Sequence, residues 1–299
     1  MSSQTTIERP VEISGIGLHT AVPGHLRLTP AAPDTGIVFR RVDLDNFEIE
    51  AHGRNVARVS YATSLMKKGV LLSTTEHLLA ALYACGIDNV YVDIDAIEVP
   101  ILDGSSQPFV QMLEQAGMRR QRRRRRYLKV LRPLEISDGD RYIGIYPCEE
   151  FRVHCLVDYT HPMIGRQQVE MVVNRDSFSQ RLARARTFGF VDELEKLRAV
   201  DLIRGGSLEN AIVLTHDGIL NGELRYTDEF SRHKTLDLIG DLALIGRPLL
   251  ARVVAHKAGH ALHTQLVARL LADKSLWTQT TLIMPRRQSV PANLSAIPA

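Results

Sequence analysis

The sequence is short of most features that would place a protein in a specialised class. Its 299 residues include only three cysteines, at 85, 148 and 155. They form no Cys-x-x-Cys pair and cannot all bridge internally, which argues against a disulfide framework and favours a reducing compartment. No apolar run reaches the roughly 18 residues a membrane-spanning helix needs, and the N-terminus has no signal-peptide core. There is no Gly-rich loop followed by Lys-Ser/Thr to cradle a nucleotide phosphate. Charge of one sign is scarce too: 37 Lys and Arg against 34 Asp and Glu give a net +3, a balance that rests on one Arg run and names no partner. With 44% hydrophobic and 24% charged residues, what remains is an ordinary globular chain, expected in the cytoplasm. It is long enough for a sizeable core in one large or two ordinary domains.

The most informative stretch is Asp228–Asp241. Phe230, Leu236, Ile239 and Leu242 recur at helical spacing, with Thr227 or Asp228 as the opening cap. On such a helix His233, Asp237 and Asp241 stand at i, i+4 and i+8, stacked on one face. An imidazole one turn from a carboxylate can chelate a borderline cation such as zinc, and the third group can orient a neighbour. Spacing alone decides nothing. Eleven His among 34 acids produce about one His-x-x-x-acid pair by chance, and the chain has a second pair at His154/Asp158. That one sits in a run of strand formers, 151–159, and reads as a sheet-surface pair.

Along the chain, strands are expected over 5–13, near 24–30 and 37–41, and over 89–95, with a loop-rich stretch at 43–72. Helices are expected from Ser73 to Gly86 and from Ser106 to Gly117. Ser73 with Glu76 three residues on fits a capping box, which gives Glu76 a structural role beside a catalytic one. His19, in the turn Gly15-Ile-Gly-Leu-His-Thr20, reads as structural on the sequence alone. Arg119–Arg126, broken only by Gln121, is the sharpest break in composition and reads as a solvated connector at a domain boundary. After it come strands at 128–136, 141–147, 151–159 and 166–173, and a helix at 176–184. A charged segment at 192–201 and a strand at 211–214 precede the Asp228 helix. A strand at 248–254 and a helix from Gly259 follow it. The tail from Pro285 is expected to be disordered.

Ten short motifs in a fixed order resemble the UDP-3-O-acyl-N-acetylglucosamine deacetylase family, the zinc amidases of lipid A synthesis. They are Gly17-Leu-His-Thr20, Thr75-Glu-His-Leu78, Gly86-Ile-Asp-Asn89, Pro100-Ile-Leu-Asp-Gly-Ser105, Arg184-Ala-Arg-Thr-Phe-Gly-Phe190, Gly205-Gly-Ser207, Asp228-Glu-Phe230, His233-Lys-Thr-Leu-Asp237, Ile239-Gly-Asp241 and Gly259-His-Ala-Leu262. The match spans about residues 5–275. It implies an α+β fold of two layered α/β-sandwich domains, 1–120 and 127–284, with the active site between them and small insertions near 43–66 and 190–212. By resemblance, zinc is held by His77, His233 and Asp237, a donor set that leaves one position open. Glu76 is then the general base and His260, oriented by Asp241, the cationic acid. Thr187 and Lys234 stabilise developing charge, while Phe188, His19 and Gly206 line the sugar-nucleotide site. The substrate implied is a UDP-sugar with an O-linked acyl chain. Apolar residues of the second insertion would receive the acyl chain.

The chain departs from familiar members in lacking a Cys in the 55–70 loop and in carrying the Arg run and the Pro-rich tail. The resemblance implies a monomer with no nucleic-acid partner and at most peripheral membrane contact. Two other readings stay open at this point. One is a zinc amidohydrolase of another N-acetyl sugar. The other is a nucleic-acid or anionic-membrane binder using Arg119–Arg126, which a steep salt dependence without bound zinc would reveal.

Overall fold

The computed structural model describes residues 2–57 and 61–282; the tail from 285 lies outside them. Pro10 cannot donate to a ladder, so the N-terminal apolar stretch forms two strands rather than one: β1 (Ser3–Ile7) and β2 (Val11–Ile16). Next come β3 (Pro23–Pro30), β4 (Ile37–Arg41), β5 (Phe47–Glu50) and the hairpin of β6 (Leu65–Lys67) with β7 (Val70–Leu72). Helix α1 (Glu76–Ala84), β8 (Val90–Ile94), α2 (Gln107–Ala116) and β9 (Met118–Arg124) complete the first half. Strands pair in the order β2-β3-β8-β4-β5, antiparallel except for β4 against β8. Period-two alternation turns Leu26, Leu28, Val90, Val92 and Ile94 inward, onto the core shared with Leu78, Leu79 and Leu82 of α1 and Phe109 of α2.

The second half begins with β10 (Tyr127–Val130), β11 (Leu134–Asp138), β12 (Arg141–Pro147), β13 (Phe151–Asp158) and β14 (Arg166–Val172). Then follow α3 (Arg175–Arg181), β15 (Phe188–Phe190), α4 (Val191–Ala199) and β16 (Ile212–Leu214). It closes with α5 (Glu229–Leu242), β17 (Leu249–His256), α6 (His260–Ala272) and β18 (Trp277–Thr280). Strand β17 is central, parallel to β10 and β13 and antiparallel to β12. The architecture is α+β, as the resemblance implies. Strand β18, four residues against β10, was not legible in advance. None of the described helices is long and apolar enough to cross a membrane.

Two local expectations are corrected. The Arg run is not a free connector: residues 118–124 form β9, the antiparallel partner of β1, with Thr5 opposite Arg120 and Ile7 opposite Met118. Backbone pairing is indifferent to side-chain charge, and β1 would otherwise leave its polar backbone groups unpartnered. The guanidinium groups project outward, while Gln121 turns in to donate to the Ala31 carbonyl at 2.7 Å. The Ser73–Glu76 capping box does not form either. Helix α1 begins at Glu76 with Thr75 as a cap whose hydroxyl donates to the Thr63 carbonyl at 3.1 Å rather than bonding the helix N–H groups, and the Ser73 hydroxyl meets Ser64 at 3.0 Å instead.

Helices α1 and α5 cross against each other, and Gly240 makes that possible. A Cβ at Gly240 would lie 2.1 Å from the Glu76 carbonyl oxygen, far inside van der Waals contact. Gly240→Ala must therefore push the start of α1 away from α5. It is expected to lower stability by about 1–3 kcal/mol, as overpacking does, and, if Glu76 is the base the resemblance implies, to lower kcat more than a surface change of equal stability cost, because Glu76 moves with the backbone. Chemical denaturation together with steady-state kinetics checks both effects. A variant of normal stability and rate would mean the helices accommodate the methyl freely.

Candidate active site

Helix α5 is buried on nearly every side, and its polar residues His233, Asp237 and Asp241 are buried with the apolar ones. Buried charge is costly unless paired or coordinated, so the partners of these groups report what the site does. Asp237 Oδ1 lies 3.3 Å from His233 Nε2 and 3.6 Å from His77 Nε2, the latter at the start of α1. The two imidazoles meet edge-on with centroids 5.0 Å apart. His233 Nδ1 is 3.1 Å from the Ala185 carbonyl oxygen. That contact needs a proton on Nδ1, so Nε2 presents a lone pair to the carboxylate. Burial lowers the pKa of His233 to about 3, which keeps the ring neutral. Asp237 Oδ1 is buried with no hydrogen-bond partner among the described residues. Burial opposes its charge, yet neighbouring cationic groups, the Lys234 ammonium among them, hold the Asp237 pKa well below the usual carboxylate range. Lys234 Nζ donates to Oδ2 at 3.1 Å.

An acceptor oxygen facing a nitrogen lone pair across 3.3 Å is unfavourable unless a cation sits between them. Ligand atoms about 2.0–2.1 Å from a tetrahedral ion lie about 3.3–3.4 Å apart, close to the spacing here. The residues therefore fit a metal on the donor set His77, His233 and Asp237. Asp241, His260 and His263 also cluster, but their geometry is different. His260 Nδ1 and His263 Nδ1 approach Asp241 Oδ2 at 2.7 and 2.8 Å. Those are direct hydrogen bonds, too short to admit an ion.

Glu76 is buried beside this centre. Its Oε2 accepts from the Thr63 backbone N–H at 3.1 Å, and Oε1 lies 3.9 Å from His260 Nε2. Burial raises the Glu76 pKa, against the pull of the neighbouring histidines. Burial works the other way on His260, but the Asp241 carboxylate outweighs it and raises His260 to about 9. His260 is thus a cation, and the Glu76 carboxyl lies beside it at one opening. That opening is a cavity of about 150 Å³, also walled by Leu18, His19, Thr74, Thr187, Phe188 and Lys234. Thr74 holds a left-handed φ of 56°, uncommon for a β-branched residue and frequent at functional sites.

The chain carries this arrangement within a recognisable whole. The family model of UDP-3-O-acyl N-acetylglycosamine deacetylase matches residues 4–272. The chain belongs to that deacetylase family. It is 55% identical over 278 residues to the UDP-3-O-acyl-N-acetylglucosamine deacetylase of Solibacter usitatus, covering 93% of this chain and 94% of that one. It is 44% identical over 279 residues to the protein of the same name from Syntrophotalea carbinolica, covering 93% and 90%. Its members are metal-dependent hydrolases, and the groups just described are of the kind that could hold the metal.

Of the residues singled out from the deacetylase sequence, nine line the cavity, and Asp241 stands directly behind His260. Gly206 does not reach the cavity wall. Its segment packs instead on the Gly17–Thr20 turn, where Arg204 and Gly205 donate to the His19 and Leu18 carbonyls at 3.1 and 3.0 Å. A Cβ at Gly205 would fall 2.2 Å from the Gly17 carbonyl oxygen. Both His19 ring nitrogens are buried without partners among the described residues, unlike a merely structural histidine. Phe188 and Thr187 are held by β15 pairing with β16 and by the Thr187 N–H on the Gly104 carbonyl at 2.8 Å. His154 and Asp158 sit on β13, away from the cavity, and Asp158 pairs with Lys257 at 3.5 Å.

Three residues of this deacetylase escaped the sequence reading. Thr63 donates through its hydroxyl to Asp241 and through its backbone to Glu76. His263 shares the Asp241 carboxylate with His260; its position one turn after His260 was the available signal. Glu98 accepts from the His19 and Thr20 backbone at 2.9 Å each and from the Thr74 hydroxyl at 2.8 Å, so it fixes two cavity walls.

Because Asp241 keeps His260 charged, Asp241→Asn should release it. Activity that needs the imidazolium falls as pH rises through the His260 pKa. The alkaline limb, near pH 9 in the parent from that pKa, should move down by more than one unit in the variant, since burial is then opposed only by the lesser pull of Asp237 and Glu76. The measurement is kcat/KM against pH with metal content verified. An unmoved limb would detach Asp241 from the titration.

Proposed function

We propose that the chain hydrolyses the N-acetyl group of UDP-3-O-(3-hydroxyacyl)-N-acetylglucosamine, releasing acetate in lipid A biosynthesis, with zinc as its metal. The observation that carries this reading is the orphaned Asp237 Oδ1 facing the Nε2 atoms of two buried imidazoles, that of His233 presenting a lone pair. His77, His233 and Asp237 would hold the ion. Zinc, when bound, supplies Lewis acidity that polarises the amide carbonyl and acidifies water. Glu76 takes the proton of the attacking water. His260, held protonated by Asp241, gives a proton to the departing amine. Lys234 and Thr187, both on the cavity wall, offer donors to the oxygen on which charge develops. His19 and Phe188 also line the cavity and help exclude water from it.

The acyl chain has a candidate path beginning at Phe188. This ring meets Phe190 at 6.4 Å and Phe230 at 5.0 Å, and Tyr159 packs on both Phe188 and Phe190. Phe190, Val191, Leu194, Leu197, Leu202 and Ile203 are only half-buried and Val200 is exposed, so apolar surface is available along this segment. Each methylene buried there contributes about 0.8 kcal/mol, offset in part by ordering the chain. The enzyme is therefore expected to prefer the acylated sugar nucleotide over UDP-N-acetylglucosamine by several orders of magnitude in kcat/KM. The test compares the two substrates at equal concentration on protein of measured zinc content. Equal kcat/KM would reject the acyl path and favour a general N-acetyl-sugar amidase. Full activity without zinc or a substituting divalent metal would reject the metal assignment.

A further inference from the structure

The larger cavity of the described structure, about 540 Å³, shares no lining residue with the site above. It opens where the end of α1 (Tyr83 and the turn Ile87–Asn89), the turn after α5 (Ala243–Pro248), the segment Glu50–Arg54 and the β9–β10 joint at Arg125 and Arg126 converge. Its volume is that of an ordinary small-molecule site.

The polar groups around it are unevenly satisfied. The acids are taken: Asp88 by Arg125 at 2.8 Å and the Thr5 N–H at 2.9 Å, Asp34 by Gln4 and Arg123 at 2.7 Å each, and Glu50 by Lys67 at 3.0 Å and Asn55 at 3.1 Å. The donors are not. The Tyr83 oxygen accepts from the Leu249 N–H at 2.7 Å, and among the described residues its own proton has no acceptor. His52 Nδ1 accepts from the Arg54 N–H at 3.2 Å, which puts the ring proton on Nε2, again without an acceptor among the described residues. Burial and the nearby charges of Arg54 and Arg247 lower the His52 pKa, against Glu50. Arg247 makes no ion pair or hydrogen bond among the described residues, Arg54 reaches only Glu50 at 3.5 Å, and Arg126 has the neutral Gln279 amide at 3.1 Å. A concave site whose acids are neutralised and whose Arg247 guanidinium, Tyr83 phenol and His52 imidazole protons are unclaimed among the described residues is complementary to a compact anion with several acceptor oxygens, and Arg suits phosphate in particular.

We infer that this cavity is a second binding site, for a phosphorylated small molecule of about nucleotide size. It lies at the far end of α1 from Glu76 and His77, about 10 Å along the helix from them, so it is separate from the place where the reaction occurs.

Titration calorimetry of the purified metal-loaded enzyme with adenosine diphosphate tests the site, with cosedimentation on phosphatidylglycerol vesicles as a second arm. Arg247→Ala and Arg54→Ala should each weaken nucleotide binding by at least about tenfold, the scale of a lost charge-assisted contact. Both should deacetylate at the parent rate, which also certifies their folding. Lys234→Ala should bind the nucleotide as the parent does. Vesicle binding that depends on Arg247, without nucleotide binding, would keep the phosphate chemistry and name a lipid headgroup as its source. The inference is overturned if neither probe binds, if binding is indifferent to Arg247 and Arg54, or if Lys234→Ala abolishes it and so places the nucleotide in the reaction cavity.

Discussion

His233→Ala and Asp237→Ala should each yield a folded enzyme that purifies nearly metal-free and deacetylates at background rate. Each substitution removes one of three protein donors. Losing groups that merely support such donors costs 10–100-fold in metal affinity, so losing a donor should cost more than about 100-fold. Asp237→Ala carries a further penalty. Lys234 Nζ, 3.1 Å from Oδ2, loses its counter-charge in a site with little access to water. His233→Ala frees the Ala185 carbonyl, the lesser cost of one hydrogen bond. Asp158→Ala is the control, because that carboxylate shares the His-x-x-x-Asp spacing but lies on β13 beside Lys257. Elemental analysis after dialysis against a chelator reads all three. Metal lost from Asp158→Ala and kept by Asp237→Ala would show that the wrong pair had been chosen.

That control also marks where sequence spacing stops being informative. His233/Asp237 and His154/Asp158 are indistinguishable as intervals. What separates them is burial: α5 is enclosed by other elements, whereas β13 shows every second residue to a wetter face. Burial of a polar face cannot be read from the face itself, since it depends on what packs over it. Most strands and helices were legible from alternation, helical periodicity and Gly or Pro breaks, but β9, β15 and β18 were not. In β9 seven consecutive residues are nearly all arginine and exposed, so no alternation marks the strand and only the unpaired backbone of β1 requires it. Thr63 is hidden for a similar reason. Its hydroxyl and N–H join Asp241 and Glu76 across long sequence separations, and no local pattern announces such contacts. Glu98 is likewise set between apolar neighbours, with a role that emerges only when the Gly17–Thr20 turn folds over it. The remaining site residues came from motif resemblance, which supplies the tertiary context that a single interval lacks.

Glu76→Gln should lower kcat by about 10²–10⁴-fold, equivalent to about 2.7–5.5 kcal/mol of transition-state stabilisation, while metal content and fold stay near normal. Three observations keep the two effects apart. Glu76 is not a helix cap, since α1 starts with no side-chain cap and Ser73 bonds elsewhere. Glutamine keeps the shape and an oxygen for the Thr63 N–H, now 3.1 Å from Oε2. None of the proposed donors His77, His233 and Asp237 is altered. What is lost is the ability to take a proton in a place where burial has raised the carboxyl pKa above its usual range. The acid limb of the pH profile, where the parent loses activity as Glu76 becomes protonated, should flatten in the variant. The alkaline limb set by His260 and Asp241 should remain, although the two limbs report a coupled site rather than isolated groups. Single-turnover rates across pH on protein of verified metal content make the measurement. A near-parental rate in Glu76→Gln, with both limbs intact, would leave Glu76 as part of the wall and transfer the base to another residue of the cavity.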